Sequence, residues 1–256
     1  VKTDLLLDTF GATWDEVRAG ALAAEEAGFD GLWVYDHLSG AAHGEPYVLE
    51  CWSVLSALAP LTRRMSLGPL VLNMANRHPG VLAQMAATVQ QISAGRLLLG
   101  VGAGSGPTSG YAVEDRALGR ANPPDPARRG DLRRYVADVR HFWSRGEGFL
   151  APAPPPPIVI GALGPKMALL AGEIGEGVNL FASAPDLEVL VATARGASPR
   201  PDFLVTVLTP FDGHWLVAEG PSRRRLSDLG VDRLILSVKP PYLNQIAAMP
   251  AAHQNV

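Results

Sequence analysis

From end to end, the sequence alternates between short apolar runs suited to strands and longer amphipathic runs suited to helices. Apolar segments fall at residues 5–7, 32–35, 65–72, 96–101, 158–160, 178–181, 203–208 and 233–238. Runs of this length bounded by Gly, Pro or Asp read as buried parallel strands. Helix punctuation supports the division. Thr13 or Asp15 can cap the run that follows, which has acidic residues in its first turn and Gly28 as its stop. Pro79 suits the first position of another helix, which Gly95 ends. Further helices are predicted around 50–59, 129–145, 187–195, 219–230 and 243–249. Eight strand–helix units in 256 residues are the count for one (β/α)8 TIM barrel, a single α/β domain over residues 1–256. The rival is a doubly wound open sheet. Its glycine fingerprint would follow the first strand, where GATW does not match G-x-G-x-x-G.

Composition removes several function classes. A net charge of −3, with no Lys/Arg patch interleaved with aromatics, gives no field for nucleic acid. The single cysteine, Cys51 in ECWSVLSALA, excludes an internal disulfide framework and reads as a small buried apolar residue. The 6 histidines are scattered, without the paired spacing of zinc enzymes, so no metal is expected. A serine-hydrolase elbow is absent too, because GAGSG places Ser105 fourth in its glycine frame. No apolar run reaches the roughly 20 residues that cross a bilayer. VKTDLLLD at the start reads as a strand rather than a targeting segment. A soluble, cytoplasmic protein with no membrane partner is the expectation.

In a barrel, residues just past the carboxyl ends of the strands share one face. The second strand runs into Asp36 and His37, a carboxylate beside an imidazole. The plain alternative is a capping Asp36 and a surface His37. A long loop, LSGAAHGEPYVL, follows, of the kind that binds rather than merely connects. In LGPLVLNMANRHPG, Pro69 forfeits a ladder hydrogen bond, so the third strand should be irregular there. Asn73 is then the candidate for ligand contact, while Arg77 and His78 could equally pair or solvate a loop. Two glycine-rich turns follow the fourth and fifth strands. In GVGAGSG, glycines would let a flat ligand or phosphate approach, or would relieve crowding at the rim. GALGPK opens into a helix, with Pro165 at its first position and Lys166 as a cation, and suits a phosphate. Residues 107–129 read as a lid. Phe10, Trp14, Tyr47, Trp52 and Tyr111 suggest a mostly apolar pocket, though each could serve the core.

Together these motifs carry a resemblance. EEAGFDGLWVYDHL, LGPLVLNMANRHPGVLAQMAAT, SAGRLLLGVGAG and PPIVIGALGPKMALLAGEIGEGV occur in this order in the bacterial luciferase-like superfamily. The chain is most similar to the members that use the deazaflavin coenzyme F-420, where an Asp-His pair ends the second strand. The resemblance implies a shortened luciferase-like TIM barrel with the tricyclic ring at its carboxyl-terminal face. An irregular, often cis-peptide bulge at Pro69, Leu70 and Val71 would back the ring, near Asn73. Val101, Gly102, Ala103 and Gly104 would edge it. Gly161, Ala162, Leu163 and Gly164, with Lys166, would hold the coenzyme's phosphate. His37 matches the active-site histidine, and Asp36 would orient its imidazole or contact the coenzyme. A homodimer is implied by the same likeness.

Departures narrow the expectation. The deazaflavin sugar-phosphate dehydrogenases carry a glutamate proton donor where Ser105 stands here, which argues against a sugar phosphate. The connection between the last two strands looks trimmed, which leaves a more open mouth or one closed by a partner subunit. The leading reading is an oxidoreductase moving a hydride between coenzyme F-420 and a small organic substrate. An FMN-dependent monooxygenase or reductase keeps the fold, and a non-catalytic cofactor-binding barrel is the alternative from another class.

Overall fold

A computed structural model describes residues 1–217 and 219–247. The strands are β1 Lys2–Leu7, β2 Gly31–Val34, β3 Ser66–Pro69, β4 Leu72–Asn73, β5 Leu99–Gly102, β6 Ile158–Gly161, β7 Gly177–Phe181, β8 Leu204–Pro210 and β9 Arg233–Val238. They form one sheet in the order β3-β2-β1-β9-β8-β7-β6-β5-β4, and every named pairing is parallel. The ring is completed where Leu67 of β3 bridges Leu97, with Leu98 N donating to Leu67 O at 2.8 Å. This is the expected α/β barrel. The strand predicted at 65–72 is split in two by a bulge between Pro69 and Leu72, which contains the cis Leu70–Val71 peptide.

The helices are α1 Trp14–Glu26, α2 Cys51–Leu58, α3 Pro79–Ile92, α4 Ala112–Ala117, α5 Asp125–Ser144, α6 Pro165–Ile174, α7 Leu187–Ala197, α8 Pro221–Asp228 and α9 Tyr242–Ala247. Local chemistry sets their ends. Thr13 and Glu16 form a reciprocal capping box on α1, and Gly28 then turns the chain at φ 90. Helix α5 begins at Asp125 rather than near 129, because Pro126 fits a helical first turn, where no intrahelical N–H is needed. The last predicted helix is seen to Ala247; its remaining residues, Ala248 and Met249, lie outside the described residues.

Two apolar layers result. The larger packs the outer face of the sheet against the helices, and Cys51 lies in it, fully buried with its thiol pKa pushed up by that burial. The smaller fills the barrel interior with Leu6, Trp33, Leu70, Leu208 and Ile235. Below it, buried Asp4 accepts from Arg233 Nε at 2.7 Å and from Trp33 Nε1 at 2.8 Å, which satisfies the charge inside the barrel. The upper members, Leu70 and Leu208, form the floor of a cavity at the carboxyl ends of the strands. Among the described residues, no helix is long and apolar enough to cross a membrane.

Candidate active site

The cavity has a volume of about 680 Å³, within the range of small-molecule and cofactor sites. Of the residues singled out in the sequence, Asp36, His37, Leu70, Asn73, Gly102, Ala103, Gly104, Gly161, Ala162, Leu163, Gly164 and Lys166 all border it. Pro69 and Val101 do not. They are buried in the bodies of β3 and β5, one residue short of the rim. Of the five rim aromatics only Tyr111 borders the cavity: Trp52 is core, and Trp14 and Tyr47 are exposed. His78 faces elsewhere, accepting from Gly80 N at 3.1 Å as the cap of α3.

Asp36 and His37 leave β2 together but do different work. The Asp36 carboxylate is 0% exposed and accepts from Arg77 Nη1 and Nη2, each at 2.9 Å, from Asn73 N at 2.9 Å and from Asn76 Nδ2 at 3.2 Å. Arg77 also bonds Glu50, the cap of α2. Burial works against the Arg77 charge, but the two carboxylates outweigh it and raise its pKa. Asp36 is therefore the anchor of the β4–α3 connection. The expectation that it orients the imidazole is corrected: that partner is Glu114 of α4, whose Oε1 lies 2.9 Å from His37 Nδ1. Ser39 N also donates to Glu114 Oε1, at 3.4 Å.

Rings hold the imidazole from the other sides. Tyr111 stacks on His37 with centroids 4.6 Å apart, and Phe10 lies 5.1 Å from it. Tyr111 Oη meets His43 Nε2 at 2.8 Å, and the His43 ring stacks on Phe10 at 3.9 Å. The lid expected over residues 107–129 is thus joined to the turn Gly40–His43. Burial, reinforced by Asp8 and Glu114, raises the Tyr111 pKa, so the phenol stays protonated at neutral pH.

At Gly102 the glycine relieves crowding, the second of the two uses the sequence allowed, and Gly161 does the same. A Cβ on Gly102 would stand 2.6 Å from Val71 Cγ2, and one on Gly161 would stand 2.9 Å from it. The two glycines make room for the side chain that the bulge pushes across β5 and β6. At Gly164 the space is open, with nothing within 4 Å of a Cβ. No side chain caps α6 there, and its start borders the cavity. Arg128 and Arg129 face the same end. Arg128 bonds Gly104 O and Asp125, and Asp125 is held below its usual pKa by Arg128 first and then by Arg129 and Lys166. Among the described residues neither Arg129 nor Lys166 closes an ion pair, though both act on Asp125 through space. Leu163 stands at the mouth, 82% exposed.

Sequence reasoning missed Glu114, Arg128, Arg129 and Asn179, all of which border the cavity. Asn179 could have been found, since it sits mid-strand among apolar residues. Glu114 offered no local signal. Among the described residues, no group of His, Cys, Asp and Glu could hold a metal ion.

Residues 3–207 match the model of the luciferase-like monooxygenase family. The chain belongs to that family. An F420-dependent glucose-6-phosphate dehydrogenase of Nakamurella multipartita is 35% identical over 183 residues, 65% of this chain and 52% of that protein. A 5,10-methylenetetrahydromethanopterin reductase of Archaeoglobus fulgidus is 35% identical over 173 residues, covering 65% of this chain and 49% of that one. The chain thus spans about half the length of these relatives. Among solved structures, an F420-dependent secondary alcohol dehydrogenase in complex with an F420-acetone adduct superposes with a TM-score of 0.81 at 18% identity, covering 99% of each chain. The oxygenating constituent of 3,6-diketocamphane monooxygenase from Pseudomonas putida, in complex with FMN, gives a TM-score of 0.64 at 20% identity, covering 88% of this chain and 73% of the other. At those identities the likeness is one of fold.

Proposed function

We propose that the chain is an oxidoreductase in which coenzyme F-420 lies across the bulge at Leu70 and Val71 and a small hydroxyl or carbonyl compound meets it beside His37. One observation carries this reading: an imidazole, a broken strand and an uncapped, basic helix start share one cavity of about 680 Å³. The residues present fit the group. Leu70 and Leu208 offer an apolar floor, and Gly164 with Lys166 and Arg129 offers an anion a helix start and two cations that form no ion pair among the described residues. Bound there, the deazaflavin would supply the donor or acceptor of a hydride. The chain's own residues would position both partners and exclude water, and His37 would exchange the proton that accompanies the hydride. Apolar and aromatic walls at Tyr111, Phe181 and Leu208 favour a small, weakly polar substrate over a sugar phosphate. The activities by which the relatives are named, an F420-dependent dehydrogenase and a reductase, support the same reaction class.

A second reading, an FMN-dependent monooxygenase or reductase, is favoured by the FMN-complexed neighbour, since the start of α6 would serve a single phosphate equally well. The homodimer and the cytoplasmic location expected from the sequence belong to the proposal on the strength of family resemblance and composition alone. Titration of the protein with coenzyme F-420 and with FMN, followed by absorbance and fluorescence, tests the reading. Saturable binding of the deazaflavin and none of FMN is expected. FMN binding alone would favour the second reading, and binding without turnover on any alcohol or carbonyl compound would favour the non-catalytic barrel.

A further inference from the structure

We propose that Glu114, carried on the lid helix α4, is a positioning residue that fixes His37 as the proton acceptor for oxidation of a hydroxyl group. The proposal rests on the oxidoreductase reading of the cavity. It assigns the direction of proton movement and makes the lid part of the reacting machinery.

The first argument is tautomeric. Glu114 Oε1 lies 2.9 Å from His37 Nδ1, and an ionised carboxylate there, which can only accept, would put the hydrogen on Nδ1. The lone pair is then on Nε2, which has no partner among the described residues, on a ring that borders the cavity. Tyr111 and Phe10 brace the ring at 4.6 and 5.1 Å, limiting its rotation.

The second argument is electrostatic. The Glu114 side chain is only 6% exposed, and His37 is its single potential ion-pair partner among the described residues. A proton taken up by His37 would place a positive charge directly against that carboxylate. The other groups around the ring cannot supply it. Tyr35 and Tyr111 are phenols with raised pKa, His43 is engaged by Tyr111, and Asp36 is saturated by Arg77 and amide donors.

These two facts give a balanced step. The O–H bond of the substrate breaks and its proton passes to Nε2. With an oxidised deazaflavin held at the basic end as hydride acceptor, the C–H electron pair would leave as hydride and the C=O bond would form. Glu114 faces the resulting imidazolium across the Nδ1 hydrogen bond. The arrangement suits a secondary or primary alcohol, and in reverse the corresponding carbonyl compound.

Nitrogen-15 NMR of the histidine rings in the coenzyme-free protein tests the pairing without a variant or a substrate. The Nδ1–H tautomer is expected for His37 in the wild type, and Glu114→Ala should shift the ring toward the Nε2–H form. An Nε2–H tautomer in the wild type, or an unchanged ring in a folded Glu114→Ala protein, would overturn the proposal. With 2-propanol and coenzyme F-420, Glu114→Ala should lower kcat by about 10² while coenzyme affinity stays within about threefold, and Glu114→Gln should recover part of the loss. Equal kcat in all three proteins would also overturn it. Wild type that binds the coenzyme but turns over no alcohol would sink the hydroxyl assignment alone, and failure to bind the coenzyme would sink the oxidoreductase reading instead.

Discussion

The floor of the cavity is held by main chain and buried charge, whereas its lid is held by rings. On the floor, the β3–β4 bulge, the glycines of β5 and β6 and the Asp36–Arg77 pair fix one another through contacts that leave no slack. On the lid, α4 reaches the turn Gly40–His43 through Tyr111, His43, Phe10 and one carboxylate–imidazole contact. Breaking the floor should therefore cost global stability, while breaking the lid should cost local order and chemistry.

The largest stability effect is expected at the floor's buried charge. Asp36→Ala leaves Arg77 with only Glu50 and should cost about 3 kcal/mol in chemical denaturation, at the low end for removing one partner of a buried pair. A cost below about 1 kcal/mol would show that the pair does not hold the floor. Next comes the fit between the bulge and the glycines. Gly102→Ala forces a Cβ against Val71 and should cost about 1–3 kcal/mol. Adding Val71→Ala should recover most of that, and strictly additive losses would break the proposed contact.

Smaller effects are expected on the lid. Tyr111→Ala removes a stack on His37 and the bond to His43, so hydrogen exchange at residues 40–44 should accelerate while global stability falls by less than about 1.5 kcal/mol. Unchanged exchange there would mean that the rings do not join the lid to the turn. The smallest effect is an acid limb. Burial pulls the Glu50 pKa up, but the Ser53 and Trp52 amides and Arg77 outweigh it, so the folded value is lowered. The stability this gives is present above the unfolded pKa of about 4.3 and is lost as pH falls through the lower folded value. Glu50→Gln should flatten that limb of the stability–pH curve, and an unaltered limb would remove Glu50 from the floor's charge network.

The same contrast decides what the sequence could tell. The rim position of Asp36 and His37 follows from where an apolar strand stops, and the bulge follows from a proline that cannot donate to a ladder. Both are local facts. That Gly102 and Gly161 make room for Val71 needs the cross-strand register, which no single segment carries. Glu114 lies 77 positions from His37, in a stretch without periodicity, and only the folded lid brings them together. The partner of Asp36 is hidden for the same reason: adjacency to His37 is visible in the sequence, while the pairing with Arg77, 41 positions away, is not.

The central claim is that the two ends of the cavity divide the labour, the basic end gripping the coenzyme's anionic tail and the imidazole end reacting. The dissociation constant of coenzyme F-420, measured for wild type, Lys166→Ala, Arg129→Ala and His37→Ala, tests it most directly. The account predicts that each basic-end variant weakens binding several-fold to about tenfold, up to about 1.4 kcal/mol, while His37→Ala stays within about threefold of wild type. Weakening by His37→Ala equal to that at the basic end, or indifference to Lys166 and Arg129, would contradict it.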